Sequence, residues 1–486
     1  MEIYIINPLV DILQRLVYNP SFHLRCAIIM RFFKVIYFLF IISVSAIVTG
    51  CHHNHKPQAC ETQLSVNVCA KIAQMLIVGF GGYSQDDKTG QVTWDDINHI
   101  TFNEKSNIAR DIAQHIGGVV LYTQQNRDIL TGQFRRDSNI QSPQQLEKLN
   151  RDLQAYAAKV QWPDELPLLI TIDQEGGIVD RLPSALGFHQ HQTVLFPLAL
   201  GVNEELGFSD PVKRSKALQD TYQYALQMAN ELVANHVNVN FAPDVDVNTN
   251  PLNPIIGGKG RSFSANPEIV ADQAWQFVQA FHIKGLIPVL KHFPGHGSST
   301  GDSHEGLVDV TNTYDAGKEL EPYRILLQKG YVDPIMTTHV INGQIDRSQC
   351  KKGLPEDPAT WCPGTLSYKT LTVKLRGELG FKGVIISDDL TMGGITHYYA
   401  PLDFEHALPL ILEKAINAGV DMFIIANHDN DYTQKVINTI GQLVKDGKIK
   451  VEQIEEANKR IVTLKQRMLS LHATSIDAAA TVPEST

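Results

Sequence analysis

The chain has 486 residues, 43% of them hydrophobic, and a formal net charge of -10. That is ample for one large core or two ordinary ones. The acidic balance excludes the basic stripe of a nucleic-acid surface, so no nucleic-acid partner is expected, and it reads as a source of solubility.

The first fifty residues stand apart. Residues 1–29 read as upstream sequence ahead of a true start at Met30. Met30-Arg31-Phe32-Phe33-Lys34 is a short basic start, and residues 35–49, VIYFLFIISVSAIVT, are apolar and uncharged. Val48-Thr49-Gly50-Cys51 follows. This is the layout of a secretory signal, and the apolar run is short for a spanning helix. The competing reading is an uncleaved anchor helix. The V-T-G-C end resembles a bacterial lipobox, which implies a lipid on Cys51 and attachment to a membrane. His52 in place of an Asp implies, in a Gram-negative host, the outer membrane facing the periplasm. The expected organisation is a signal peptide over 1–50, a lipid-anchored tether over 51–64, one barrel domain over 65–472 and a disordered tail over 473–486.

Six cysteines are present. With Cys26 in the discarded segment and Cys51 lipidated, Cys60, Cys69, Cys350 and Cys362 remain as two local pairs. An even remainder fits an oxidising compartment, and Cys60–Cys69 and Cys350–Cys362 are the expected bridges. Each closes a short loop and contributes about 2–3 kcal/mol if unstrained. No C-x-x-C pair suggests zinc.

Eight short apolar runs have strand character: 74–80, 117–122, 166–173, 237–243, 286–292, 334–340, 383–389 and 421–427. Most are rich in Val, Ile and Leu on both faces, as parallel strands buried on both sides are. Helical patterns at 143–160, 217–236, 268–283, 316–330, 404–418 and 451–470 separate most of them. Alternation of this kind predicts an α/β fold, a (β/α)8 TIM-type barrel, with a doubly wound open sheet as the alternative. No G-x-G-x-x-G follows a strand, which lowers a dinucleotide reading, and no cofactor is expected.

Polar residues collect where these runs end. Asp173 ends the third, Asp244 follows the fourth, and Lys291 and His292 end the fifth. His339 ends the sixth, Asp388 and Asp389 the seventh, and Asn427 the eighth. A barrel places all of these at one mouth, where such folds keep their chemistry.

The stretch Lys291–His304, KHFPGHGSSTGDSH, sets a Lys, three His and an Asp among small residues. His304 can give and take a proton near neutral pH, and Asp302 can hold its ring. This loop resembles the signature loop of the β-N-acetylglucosaminidases of glycoside hydrolase family 3. SDDLTM after the seventh run resembles the family's nucleophile motif, and the resemblance assigns the attacking carboxylate to Asp388. It assigns the acid/base to His304, oriented by Asp302. DQEGGIVDR at 173–181 resembles the family's sugar-gripping segment, with Ile178 where an Arg is common. Asp173, Arg181, Arg261, Lys291 and His292 carry over as substrate-binding residues. KIAQMLIVGF, NVNFAPDVDV, MTTHV and AGVDMFII extend the resemblance over about residues 65–470. Larger members add a second domain with an acid/base Glu, and the room left here is too small for one.

Glu175 and His296 read as structural residues, and His236, flanked by apolar neighbours at a helix end, as a packed one. A loop position would let His304 swing in after substrate binds. The long 341–366 segment with its expected bridge would wall the pocket beyond the first sugar.

The resemblance implies a retaining, exo-acting β-N-acetylglucosaminidase. It would take terminal GlcNAc from peptidoglycan fragments or chitooligosaccharides through a glycosyl-aspartate. A β-glucosidase or phosphorolytic relative is the alternative enzyme. A non-catalytic glycan-binding lipoprotein of the envelope is the alternative of another class. No metal is expected, because no i, i+4 histidine pair such as H-E-x-x-H occurs.

Overall fold

The computed structural model describes residues 59–81, 84–85, 92–93, 101–123, 138–160, 166–189, 194–426 and 432–480. The signal segment, Cys51, the start of the tether, Asn427 and residues 481–486 lie outside the described residues.

Parallel strands form the centre. They are β1 Leu76–Gly79, β2 Gly118–Thr123, β3 Leu169–Ile172, β4 Val239–Asn240, β5 Ile287–Pro288, β6 Leu290–Phe293, β7 Ile335–Thr337, β8 Ile385–Asp389 and β9 Met422–Ile425. Pairing runs from β1 to β2 at Ile77↔Gly118, to β3 at Gly118↔Leu169, to β4 at Thr171↔Val239 and to β5 at Val239↔Ile287. On the other side β1 pairs β9 at Leu76↔Phe423, β9 pairs β8 at Met422↔Ile386, β8 pairs β7 and β7 pairs β6. β5 and β6 are two halves of one predicted run, split at Val289. The lower half bonds backward to β4 and the upper half forward to β7. That split strand closes the ring, so the architecture is the (β/α)8 barrel rather than the open sheet. β1, β2, β3 and β9 are buried along their whole length, which is why they read as continuous apolar runs.

Helices α1 Val66–Gln74, α2 Asn107–Ala113, α3 Pro143–Lys159, α4 Pro197–Gly207, α5 Pro211–Ala234, α6 Pro267–His282, α7 Glu321–Gln328, α8 Phe404–Ala418, α9 Tyr432–Lys445 and α10 Val451–Ala480 surround the strands. α3, α5 and α6 share one start signal: Ser142, Asp210 or Asn266 accepts from a first-turn N–H, and proline follows at the first helical position. The Asp210-Pro211 cap starts α5 six residues before the expected 217. A π-helix, Lys369–Glu378, precedes β8 without an apolar period that announced it.

Two expected boundaries shift. The packed body begins at Cys60, which is 2% exposed, rather than at 65. Cys60 is bonded to Cys69 and Cys350 to Cys362. At the other end α10 continues to Ala480 instead of fraying from 473, because ATSIDAAA is rich in the strongest helix former. His236 also differs from its reading as packed: its side chain is 47% exposed, at a φ of 56°. The φ follows from the turn out of α5. Among the described residues no helix is long and apolar enough to cross a membrane.

α10 seals the end of the barrel where strands begin. Arg460 Nε reaches Asp421 at 2.9 Å, and Arg467 Nε reaches Asp333 at 2.7 Å. Asp421, 1% exposed, also takes Arg376 Nη2 at 2.5 Å and the Ile385 N–H at 2.8 Å. Removing one side of a buried ion network strands the other charges. Asp421→Asn is expected to lower unfolding free energy by about 3 kcal/mol. Urea denaturation followed by circular dichroism checks this, and an unmoved midpoint would refute it.

Candidate active site

The site lies at the strand exits, and a buried carboxylate organises it. Glu175 grips Arg261 with two bonds, Nε–Oε2 at 2.9 Å and Nη2–Oε1 at 2.8 Å. Its Oε1 also lies 2.7 Å from Lys291 Nζ, which donates to Asp173 Oδ1 at 2.6 Å. Asp173 and Glu175 follow β3, Arg261 comes from the segment after β4, and Lys291 lies on β6. Burial alone would raise the Glu175 pKa, but Arg261 and Lys291 outweigh it and hold the carboxyl far below its ordinary range. Burial would lower the Lys291 pKa, yet Asp173 and Glu175 raise it above the ordinary lysine value.

The hairpin that presents Glu175 depends on two glycines. Gly176 and Gly177 have φ of 96° and 60°, and the Glu175 N–H closes the turn on the Val179 carbonyl at 3.0 Å. Ile178, the departure from the family segment, sits 50% exposed at the tip and leaves the turn intact. The Gln174 side chain then accepts from the Arg181 N–H at 2.8 Å and donates to Asp180 at 2.9 Å. The Arg181 guanidinium stands over the Tyr122 ring at 5.4 Å.

A second layer orients the histidines. His292 Nδ1 lies 2.7 Å from Asp246 Oδ2, and the His296 N–H donates to Asp246 Oδ1 at 2.7 Å. His296 is bracketed by Ser299 at 2.8 Å and Ser303 at 3.0 Å, and burial pushes its pKa down to about 4. It is a neutral loop-former, in line with its structural reading. Asp244, Asp246 and His292 offer ligand atoms within 4.8 Å of one another, a geometry that could hold a cation. Arg261 already faces that group, with Nη2 3.4 Å from Asp244 and 3.5 Å from His292 Nε2. A fixed guanidinium there repels a metal ion, although it leaves Asp244 Oδ2 without a hydrogen bond.

Asp302 and His304 form a close pair with the geometry to handle a proton. Asp302 Oδ1 takes both the His304 N–H at 2.8 Å and the His304 ring Nδ1 at 2.7 Å. Nε2 is thereby left as the working nitrogen. Burial would raise the Asp302 pKa, but the His304 bonds outweigh it and hold the carboxyl below its ordinary value. Asp388 leaves the end of β8. Burial raises its pKa, yet the nearby imidazoles of His292, His339 and His304 together lower it below the usual range. A carboxylate held ionised next to imidazoles can attack an electrophilic carbon while a neighbouring ring delivers a proton. Asp389 points elsewhere: its carboxylate takes Thr391 N–H, Thr391 Oγ1 and Ala426 N–H at 3.0, 2.8 and 3.2 Å. It is a strand-end tie.

The two reactive loops are stitched together. The Gly393 N–H donates to the His304 carbonyl at 3.1 Å, and the Gly394 N–H to the Ser303 carbonyl at 2.8 Å. A Cβ at Gly393 would lie 2.6 Å from the His304 carbonyl oxygen. His304 is therefore seated in this structure, with 40% of its side chain exposed. The 350–362 bridge packs one step back. Tyr399 Oη donates to the Cys350 carbonyl at 3.4 Å, and Lys351 Nζ to the Tyr398 carbonyl at 2.7 Å. The staple braces the segment that follows Asp388.

A family model, the glycosyl hydrolase family 3 N terminal domain, matches residues 68–464. The chain belongs to glycosyl hydrolase family 3. Beta-hexosaminidase A of Pseudoalteromonas piscicida is 32% identical over 73% of this chain and 54% of its own length. A beta-hexosaminidase of Nitrosomonas eutropha is 31% identical over 67% of this chain and 77% of its own. The family 3 β-N-acetylglucosaminidase structure from Paenibacillus sp. is 29% identical, with a TM-score of 0.61, over 86% of this chain and 64% of that one. The family 3 chain thus spans less than two thirds of the Pseudoalteromonas and Paenibacillus proteins.

Sequence reasoning left Asp246 without a role and gave Glu319 none. Asp246 had a signal: D-V-D after a strand puts two carboxylates on one face. Glu319 had none, since it lies in a short helix, Ala316–Glu319, remote in sequence from the loop it supports. Its carboxyl takes the Gly297 N–H at 3.2 Å and the Thr249 hydroxyl at 3.1 Å, with 0% exposure. Burial first, then Asp246, push its pKa from 4.5 up to about 8. A carboxyl raised on folding binds more protons folded than unfolded, so stability falls as pH rises between those values and levels off above the upper one. Glu319→Gln keeps the neutral shape, so the variant is expected to melt about 3 °C above the parent at pH 9 and level with it at pH 4.5. Thermal melts at both pH values decide it, and parallel curves would contradict the buried neutral acid.

Proposed function

We propose that this family 3 protein is a retaining, exo-acting β-N-acetylglucosaminidase of the cell envelope. The observation that carries the reading is the Asp302–His304 pair, closed at 2.7 Å and stitched to the loop of Asp388. Asp388 attacks the anomeric carbon and displaces the aglycone. His304 Nε2–H protonates the leaving oxygen as the bond breaks, and Asp302 stabilises the imidazolium until then. In the second step the now neutral His304 takes a proton from water. The hydroxide attacks the glycosyl-aspartate ester, and Asp388 leaves as carboxylate. Lys291, Asp173 and Arg261 form the charged floor that binds sugar hydroxyls, with His292 and Arg181 at its sides. The likeness to beta-hexosaminidases supports a terminal GlcNAc residue as substrate, on peptidoglycan fragments or chitooligosaccharides.

The test compares release of p-nitrophenol from the β-N-acetylglucosaminide and the β-glucoside. Activity on the first is expected to fall about 10^4-fold or more in Asp388→Ala. His304→Ala should lose about 10^2–10^4-fold, with partial recovery when the leaving group is a good one that needs no proton. Activity mainly on the glucoside would keep the mechanism and overturn the substrate. Folded protein inactive on both would turn the reading towards a glycan-binding lipoprotein.

The V-T-G-C motif supports a lipid on Cys51. Metabolic labelling with an alkyne fatty acid should tag the parent chain and leave Cys51→Ser unlabelled and in the soluble fraction. Equal labelling of both would remove the anchor.

A further inference from the structure

Opposite the strand exits, where strands begin, the described residues line a partly open cavity of about 490 Å3. Gln74 stands ahead of β1, His115 and Ile116 ahead of β2, and Leu168 ahead of β3. α3 and α10 complete the lining with Ala157, Val160, Lys465 and Leu469. The walls are largely apolar. Gln74, His115 and Gln154 add polar groups, and Lys465 adds a cation only 1% exposed.

Its neighbours on α10 show what is unusual. Arg460 and Arg467 each reach a buried carboxylate. Lys465 Nζ instead donates to the neutral Gln74 Oε1 at 2.9 Å, and no described carboxylate pairs with it. Gln74 cannot turn away, because its Nε2 donates to the His115 carbonyl at 2.6 Å. An ammonium carries three donors, and among the described residues Gln74 is the acceptor that Lys465 meets at this cavity. A buried ammonium held by a neutral amide is costly, and an anion beside it would remove most of that cost. Burial also draws the Lys465 pKa down to about 7, so an arriving carboxylate can recruit the proton it needs.

We propose that this cavity is a binding site for a small amphipathic carboxylate, its anionic head on Lys465 and its aliphatic body along Ile112, Ile116 and Leu469. The size suits a single small ligand. The site is separate from the strand exits and does not depend on the glycosidase reading.

Octanoate is the probe, with octan-1-ol and inorganic phosphate as the apolar and anionic controls, on the full chain with its disulfides intact. Saturating octanoate is expected to raise Tm by about 3 °C, and neither control should match it. Lys465→Met keeps the volume, and it should abolish the octanoate shift. Ala157→Phe, which fills the cavity and leaves the lysine, should abolish it too and serves if the first variant does not fold. The idea is overturned if octanoate produces no shift, if octan-1-ol matches it, or if either folded variant responds like the parent.

Discussion

Everything at the mouth of this barrel depends on Glu175. A carboxylate 2% exposed is tolerable only with cations against it, and Arg261 and Lys291 provide two. Those cations come from different strand exits, so their shared partner fixes the spacing of three segments. Asp173 completes the chain of charge and faces outward. In the proposed reading, a polar sugar meets a floor whose Glu175, Arg261 and Lys291 charges already balance one another. It can hydrogen-bond there without reorganising the protein.

The reactive groups are arranged by a different principle. Asp388 is kept ionised by imidazoles around it, and His304 is kept in one tautomer by Asp302. Neither group could be set independently, because the backbone bonds from Gly393 and Gly394 tie one loop to the other. In this structure the loop backbone is tied down at Ser303 and His304, and the His304 ring rests on Asp302 of the same loop. What makes that seating possible is the bare Cα of Gly393, against which no side chain could fit.

Much of the barrel was legible because burial on both faces writes an unbroken apolar run, and a strand exit writes a sudden polar residue. The loop of Lys291–His304 was legible as chemistry because charged residues among glycines have little structural purpose. The hub was not. Glu175 reads as structural, but nothing beside it in sequence names its partner until the fold brings Arg261 alongside, 86 residues away. The split of one apolar run into β5 and β6 was equally silent, since hydrophobicity does not record which neighbour a strand bonds. Asp210-Pro211 was a readable start signal for α5 that apolar periodicity alone passed over.

The seal at the base of the barrel has a consequence in time. Asn458 bonds the Lys71 carbonyl across 387 residues of chain, and Arg467 reaches Asp333 across 134. The first of these pairs joins segments made far apart in time, and the second joins segments made at a shorter interval. Until α10 is made, the first strand has no lid, Asp333 lacks Arg467, and Asp421 has Arg376 but not Arg460. A nascent chain therefore gains its closed form only after α10 has been made. Any export machinery that handles this chain has a long interval in which it is still open enough to be threaded.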